Sequence, residues 1–176
     1  MNTFLHRSED RGHVKAGWLD TKHSFSFGSW YNPKYMGVGS LRVINDDTIA
    51  AHNGFGTHPH DNMEILTCVL KGTISHKDSM GNERHINAGE WQLIVGPNDN
   101  APMHIRQDAE IKAAYLEKGH TLEVKATQKF NYVHLIEGEI DIAGQTLKAG
   151  DAYLFDEDAI LNANENSQFI WFDLNN

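Results

Sequence analysis

The strongest constraint on the fold is an internal repeat of short strand-forming segments. Val69–Ile74 (VLKGTI) is echoed by Leu135–Ile140 (LIEGEI), and Ala88–Leu93 (AGEWQL) is echoed by Ala149–Leu154 (AGDAYL). Each copy reads as strand, glycine, strand, hairpin, a turn of Ala-Gly and an acidic residue, and a further strand. A unit of this kind that occurs twice in one chain predicts a duplicated β-barrel.

Short strands are predicted along most of the rest of the chain. Alternating or apolar segments predict strands at His23–Phe27, Leu41–Ile44 and Met63–Leu70, the last of them buried on both sides. The polar residues 45–47 are predicted to form a turn that ends the second of these strands. The segment 109–118 contains good helix formers, but the repeat favours a strand there. The turn-rich segment Gly96–Pro102 predicts a boundary between a domain of residues 1–96 and a domain of residues 97–176.

Composition excludes several classes of function. The 176 residues carry a formal net charge of −9 and no cluster of Lys or Arg, which argues against a nucleic-acid surface. We see no signal peptide and no apolar stretch of membrane-spanning length. The single cysteine, Cys68, lies in an apolar segment and is expected to be a buried thiol in a reducing compartment. We therefore expect a cytoplasmic protein that binds neither nucleic acid nor membrane.

The segment from Asn53 to Gly72 contains the residues with the clearest chemistry. His58 and His60 are two residues apart, so a strand would place both imidazoles on one face, and Glu64 has the same parity. Two histidines and a carboxylate that point into a barrel favour a metal site of the non-haem iron kind. The alternative is a packed or solvated pair of histidines, because a His-x-His motif alone is a weak signal.

The other histidines are predicted to have ordinary roles. We interpret His23 as a hydrogen-bonded structural residue of its strand, and a position that lines the pocket is the alternative. Five more lie in polar or turn contexts and are predicted to be surface residues, namely His6, His13, His76, His85 and His120.

A longer set of motifs resembles the pirin family, a two-barrel branch of the cupin superfamily. The resemblance is nearly continuous from residue 11 to about residue 95 and rests on Arg11–His13, Gly17–Leu19, His23–Phe27, Leu41–Asp47, Gly54-Phe55, His58–His60, Met63–Ile65 and Asp78–Asn82. Residues 103–176 are similar to the C-terminal cupin of bacterial pirin-like proteins. The resemblance implies an all-β bicupin.

The resemblance also implies a metal site and shows where this chain departs from the family. Pirins of this type hold one metal, usually iron, with three histidines and one glutamate in the N-terminal barrel. His58 and His60 match the first two ligands, but the Gly-x-Gly-x-x-His-Ser-Glu segment that supplies the others is absent after Val95. The N-terminal barrel is therefore predicted to be internally shortened. His104, or Glu64, which is not a ligand in the family, is a candidate third ligand.

Two functions follow as hypotheses. Several bacterial pirins are described as quercetin 2,3-dioxygenases, and eukaryotic members are linked to transcription-factor partners. Because a catalytic metal needs three or more protein ligands and an open position, the lost segment favours a binding, regulatory or vestigial module, and no catalytic residue is assigned. The alternative is a metal-dependent dioxygenase that acts on a flavonol-like aromatic substrate. The expected cofactor is a divalent transition metal, iron first, or no metal at all.

The shortened barrel leads to a prediction about partners. Missing strands leave unpaired edges, which are a liability unless they are covered. We therefore expect a homodimer that forms by exchange of edge strands, and a small aromatic ligand as a further partner.

Overall fold

The computed structural model describes residues 3–56, 58, 62–77, 83–95 and 105–175. Within these residues a 3-10 turn at Ser8–Asp10 is the one helical element, and no helix is long and apolar enough to cross a membrane. The strands are β1 (Phe4–His6), β2 (Gly12–Ala16), β3 (Leu19–His23), β4 (Asn45–Ile49), β5 (Ile65–Cys68), β6 (Thr73–Lys77), β7 (Glu83–Asn87), β8 (Trp91–Val95), β9 (Ala109–Leu116), β10 (Thr121–Val124), β11 (Phe130–Glu137), β12 (Glu139–Ile142), β13 (Gln145–Lys148), β14 (Ala152–Phe155), β15 (Ala159–Ala163) and β16 (Ser167–Leu174).

The C-terminal strands form two antiparallel sheets around one apolar core. A sheet of five strands has the order β1-β14-β11-β16-β9, and a sheet of four strands has the order β10-β15-β12-β13. Strand β15 alternates buried and exposed residues along its whole length, which is the pattern of a strand with one face on a core. The fully buried side chains between the sheets include Val133, Leu135, Phe169, Ile140, Leu147 and Leu161.

The second face of the five-stranded sheet is covered by the N-terminal part of the chain. Phe25, Tyr35 and Val38 pack there against Tyr132 and Phe172. The sheet therefore lies between two apolar layers, which explains why β11 is buried over most of its length.

Contacts divide the chain into two compact units, which we describe separately. The first unit contains the residues up to Gly54 and those from Asp108 onwards, with the two sheets above and a three-stranded sheet β2-β3-β4. The second unit spans Phe55–Gln107 and contains the pairs β5-β8 and β6-β7. The boundary predicted at residues 96–102 lies outside the described residues and stays a prediction.

The internal repeat has the same hydrogen bonds in both copies. The amide of Gly89 donates to the carbonyl of Val69 at 2.8 Å, and the amide of Gly150 donates to the carbonyl of Leu135 at 2.7 Å. Both glycines have positive φ values, +85° and +86°, which glycine adopts at little cost. The predicted duplication is therefore present in the backbone as well as in the sequence.

The acidic residue of each repeat closes its turn in the same way. In the first copy Glu90 accepts the amide of Asn87 at 2.7 Å, and in the second Asp151 accepts the amide of Lys148 at 3.1 Å. A side-chain acceptor satisfies a turn amide that has no ladder partner, which explains the acidic residue at that position of the motif. These features confirm the prediction of an all-β chain with two cupin repeats.

Several strand predictions are confirmed and others are corrected. Strand β9 lies in the segment 109–118, where helix propensity favoured a helix and the repeat favoured a strand. Strands β6 and β7 pair in an antiparallel manner, as predicted for a hairpin. The strand predicted at Met63–Leu70 is shorter, Ile65–Cys68, and the prediction that it is buried on both sides is wrong, since all four of its residues are half-buried.

Two further strand predictions are wrong: the strand predicted at His23–Phe27 is instead Leu19–His23, and the strand predicted at Leu41–Ile44 is instead Asn45–Ile49. The first residues of Asn45–Ile49 are those that were predicted to form a turn. They are stable in a strand because Asn45 accepts a hydrogen bond from His23 at 2.7 Å and Asp46 pairs with Arg11. Polar residues that read as a turn in isolation thus have tertiary partners in the sheet.

Candidate functional site

His58 lies in irregular backbone before strand β5. Its Nδ1 donates to the carbonyl of Gly56 at 2.7 Å, and its ring meets that of Phe55 edge-on at 6.3 Å. A carbonyl can only accept, so Nδ1 carries the proton of this hydrogen bond. Metal-binding histidines are commonly oriented in this way by a hydrogen bond from the second ring nitrogen. The ring of His58 therefore fits the role of a metal ligand.

The strand parity that grouped the candidate ligands does not hold. Strand β5 begins at Ile65, and Asn62 has a positive φ of 51°, so the backbone before β5 does not alternate like a strand. His60 and His104 lie outside the described residues, and their roles stay predictions.

Glu64 is bound to the backbone of the segment that leads into β9. Its carboxylate accepts the amide of Arg106 at 2.8 Å and 2.9 Å and the amide of Gln107 at 3.2 Å. A metal ion would have to compete with these charge-assisted hydrogen bonds for the same oxygens. In the described ranges no group of three or more His, Cys, Asp or Glu side chains is arranged to hold a metal ion.

A second group of functional side chains, the Arg11 cluster, lies in the first unit and consists of Arg11, Asp46, His134 and His6. The side chain of Arg11 is 1% exposed; its Nη1 donates to Asp46 Oδ2, and its Nη2 donates to the carbonyl of Lys22 at 3.1 Å. His134 Nε2 is 3.6 Å from the same Asp46 oxygen, which is too long for a hydrogen bond.

The sheet register places the two histidines of the cluster side by side. His6 and His134 both pair with Ala152, from opposite sides, so the three side chains point to one face. The ring of His6 stacks on Tyr35 with centroids 4.2 Å apart, and its Nδ1 is 3.3 Å from the hydroxyl of Tyr132. His6 is 1% exposed, so its prediction as a surface residue is wrong.

The remaining histidines mostly agree with the sequence analysis. His85 and His120 are exposed, and the side chain of His13 is 44% exposed beside Asp20. His23 is buried and hydrogen-bonded to Asn45, as predicted for a structural residue.

Burial and charge change the proton affinities within the Arg11 cluster. Burial, reinforced by the charge of Arg11, lowers the pKa of His6 to about 4. Burial alone would raise the pKa of Asp46, but His134 and Arg11 favour the carboxylate more strongly and hold that pKa well below its usual range. Burial also raises the pKa of Tyr132. At neutral pH the cluster therefore contains the neutral imidazole of His6 and the guanidinium–carboxylate pair of Arg11 and Asp46, beside the neutral phenol of Tyr132.

A polar pocket of about 410 Å³ opens above the Arg11–Asp46 pair. Cross-strand partners on one face of the β2-β3-β4 sheet form much of its wall, and the Ala-Gly turn of the second repeat closes it. Its lining comprises Ser8, Arg11, His13, Asp20, Lys22, Asp46, Thr48, Ile136, Ala149 and Gly150.

Arg11 and Asp46 lie far apart in sequence, and no local pattern connects them with each other or with His134. Arg11 and Asp46 both lie in motifs that carry the pirin resemblance, and His134 is the one histidine of the second repeat near the matching position. The signal that could have indicated the pair is the presence of an arginine and an aspartate in motifs that otherwise read as strands. Such charged residues need partners of opposite charge if they are buried.

The burial of His6 predicts a dependence of stability on pH. The imidazole has a pKa near 6.5 when unfolded and about 4 when folded, so the unfolded state binds more protons between these values. Its contribution to stability should be complete above pH 6.5 and should be lost as the pH falls towards 4, by roughly 3 kcal/mol at most. Chemical denaturation at several pH values should show that slope in the wild type and a clearly smaller slope in His6→Asn.

His120→Asn, at an exposed histidine of the same unit, is the matched control and should keep the wild-type slope. If His6→Asn and His120→Asn have the same pH dependence, His6 is not held neutral by the fold.

Comparison with known proteins agrees with the fold and the motifs. The family model described as Pirin matches residues 5–98, and the model described as Quercetinase C-terminal cupin domain matches residues 93–174. The structure of the bacterial pirin YhhW from Escherichia coli in complex with nickel(II) superposes with a TM-score of 0.88 at 28% identity, covering 98% of this chain and 99% of that one.

Curated relatives match mainly one half of the chain. Quercetin 2,3-dioxygenase of Escherichia coli K12 is 56% identical over 91 residues, which are 52% of this chain and 39% of that protein. A Zymomonas mobilis protein, to which the same activity is assigned provisionally, is 28% identical over 197 residues, covering 80% of this chain and 84% of that protein. The chain spans less than half the length of the first curated relatives it matches. On these matches, this chain belongs to the pirin family of bicupin proteins.

Proposed function

We propose that this chain is a metal-binding module of the pirin type that recognises a partner or small ligand without efficient dioxygenase turnover. The observation that carries the proposal is the contrast between two candidate ligands. The hydrogen bond from His58 to Gly56 orients its ring for metal binding, whereas the carboxylate of Glu64 is engaged by the amides of Arg106 and Gln107.

The metal in this proposal is a divalent transition ion held by His58 and His60. The nickel(II) complex of the Escherichia coli pirin supports a divalent ion, and iron is the ion we expect in the cell. When bound, such an ion supplies Lewis-acid polarisation of ligand oxygens. His58 would contribute Nε2, with its ring orientation fixed by the Gly56 carbonyl.

The proposal of weak or absent turnover rests on the length of the N-terminal barrel. The alignment with the Zymomonas mobilis relative runs over 197 positions, more than the 176 residues of this chain, so it must contain gaps in this chain. The missing Gly-x-Gly-x-x-His-Ser-Glu segment accounts for such a gap and removes the two remaining family ligands. Two imidazoles make a weak site for a catalytic metal, which needs at least three protein ligands.

The second candidate function is a quercetin 2,3-dioxygenase acting on a flavonol-like substrate. The names of the relatives favour it, with 56% identity over 91 residues, which are 52% of this chain. It requires a third ligand, for which His104 is the available histidine.

The two functions are separated by measuring metal content and oxygen consumption together. The purified full chain, loaded with Ni²⁺ or Fe²⁺ and desalted, should retain metal that is lost in His58→Ala/His60→Ala. Quercetin-dependent oxygen uptake should stay at the buffer rate in the wild type. The matched control His85→Ala/His120→Ala removes two exposed histidines and should bind metal like the wild type.

Equal metal binding by the two double variants would contradict the His58 and His60 site. Oxygen uptake by the loaded wild type that disappears in His58→Ala/His60→Ala would instead establish the dioxygenase.

We also propose that the chain forms a homodimer by edge-strand exchange. Strands β5 and β8 pair only with each other in the part of the chain that the structure describes, so each has an unpaired side there. Light scattering at micromolar concentration should give a mass of two chains of 19.8 kDa. A mass of one chain that does not change with concentration would rule the dimer out.

A further inference from the structure

The pocket above the Arg11–Asp46 pair is lined by two side chains with a permanent positive charge, Arg11 and Lys22, and by two carboxylates, Asp20 and Asp46. Asp46 is paired with Arg11, and Asp20 is paired with His13 at 2.6 Å and with Lys15 at 3.1 Å. Lys22 lies between these pairs on the same face of the sheet, opposite His13 and Asp46 in the register. Within the described residues Lys22 forms no ion pair.

The floor of the pocket contains a buried donor in addition to Lys22. Arg11 uses its two terminal nitrogens for Asp46 and for a carbonyl, whereas its Nε has no hydrogen-bond partner in the described part of the chain. Both ring nitrogens of His134 are likewise unpartnered there, and one is 3.6 Å from Asp46. His134 does not line the pocket but Arg11 does, and because buried polar groups are normally satisfied, the unpartnered Nε of Arg11 indicates a place where a polar ligand is accommodated.

Apolar side chains complete the opposite wall of the pocket. The register of β11 against β16 shifts between Leu135 and Glu137, so Ile136 is the residue of a β-bulge. A β-bulge changes the direction of a side chain relative to the regular alternation along the strand. Ile136 lines the pocket together with Ala149. The pocket therefore presents cations at one side and an apolar surface at another.

We propose that this pocket binds a small organic monocarboxylate, with the carboxylate at Lys22 and Arg11 and the apolar body against Ile136 and Ala149. Lys22 is the one lysine or arginine of the lining that forms no ion pair within the described residues, so it can match one negative charge, whereas the second charge of a dianion such as phosphate would face the carboxylates of Asp20 and Asp46 without another unpaired cation. The site lies in the first compact unit, and His58 and His60 lie in the second, so its test is independent of the metal proposal.

Benzoate is the probe, with benzamide as its uncharged counterpart, titrated into the full chain at pH 7.5 and low salt with amide NMR shifts as the readout. Shifts should map to the residues of the pocket, and benzamide should bind much more weakly. Lys22→Gln should weaken benzoate binding roughly tenfold, as expected for a hydrogen bond to a charged group. Lys118→Gln removes the same charge from an exposed site in the same unit and should bind like the wild type.

Two further variants make the result decisive. Lys22→Arg keeps the charge and should keep binding, which separates loss of charge from loss of folding. Ile136→Ala should weaken benzoate binding but not acetate binding, because acetate has almost no apolar body. Equal weakening by Lys22→Gln and Lys118→Gln, equal binding of benzamide and benzoate, or shifts outside the pocket would each overturn the proposal.

Discussion

The burial of the Arg11 guanidinium is the constraint on which the first unit depends. A charge that is 1% exposed is stable only with a carboxylate and further acceptors in place, and Asp46 and the Lys22 carbonyl supply them. Asp46 lies on β4 and Lys22 lies on β3. The ion pair and the hydrogen bond of Arg11 therefore hold the residue just before β2 to the two other strands of the three-stranded sheet. His134, on β11 of the five-stranded sheet, lies 3.6 Å from the same carboxylate.

This arrangement assigns the family motifs to two different tasks. Arg11, His23 and Asp46 build a polar junction within the first unit, together with Asn45, in which Arg11 and His23 are buried and Asp46 is half-exposed. His58 belongs to the second unit, and its Nδ1 donates to the carbonyl of Gly56. The motifs that carry the family resemblance therefore lie in both compact units.

The sequence was sufficient for the features that depend on local pattern. The repeat predicted two copies of one turn, and the same backbone hydrogen bonds occur at Gly89 and Gly150. Strand β9 was predictable despite its helix formers because the repeat required a strand there. The fold class and the family followed from the same short-range signals.

The features that depend on distant partners were not predictable. Residues 45–47 read as a turn because nothing nearby in sequence shows that Asp46 meets Arg11, 35 positions away. His6 reads as a surface residue for the same reason, since Tyr132 and Ala152 bury it from the other end of the chain. For the candidate site, the histidine spacing identified His58, but strand parity could not anticipate the irregular backbone before Ile65 or the backbone contacts of Glu64.

The central claim is that Arg11 and Asp46 form an energetically coupled pair that stabilises the first compact unit. A double-mutant cycle tests this claim most directly. Unfolding free energies are measured for the wild type, Arg11→Met, Asp46→Asn and the double variant at pH 7. Asp46→Asn leaves a buried guanidinium without its carboxylate and should cost roughly 3 kcal/mol, and the double variant should be less destabilised than the sum of the single variants by roughly 1–3 kcal/mol. Single effects that add to within about 0.5 kcal/mol would contradict the account.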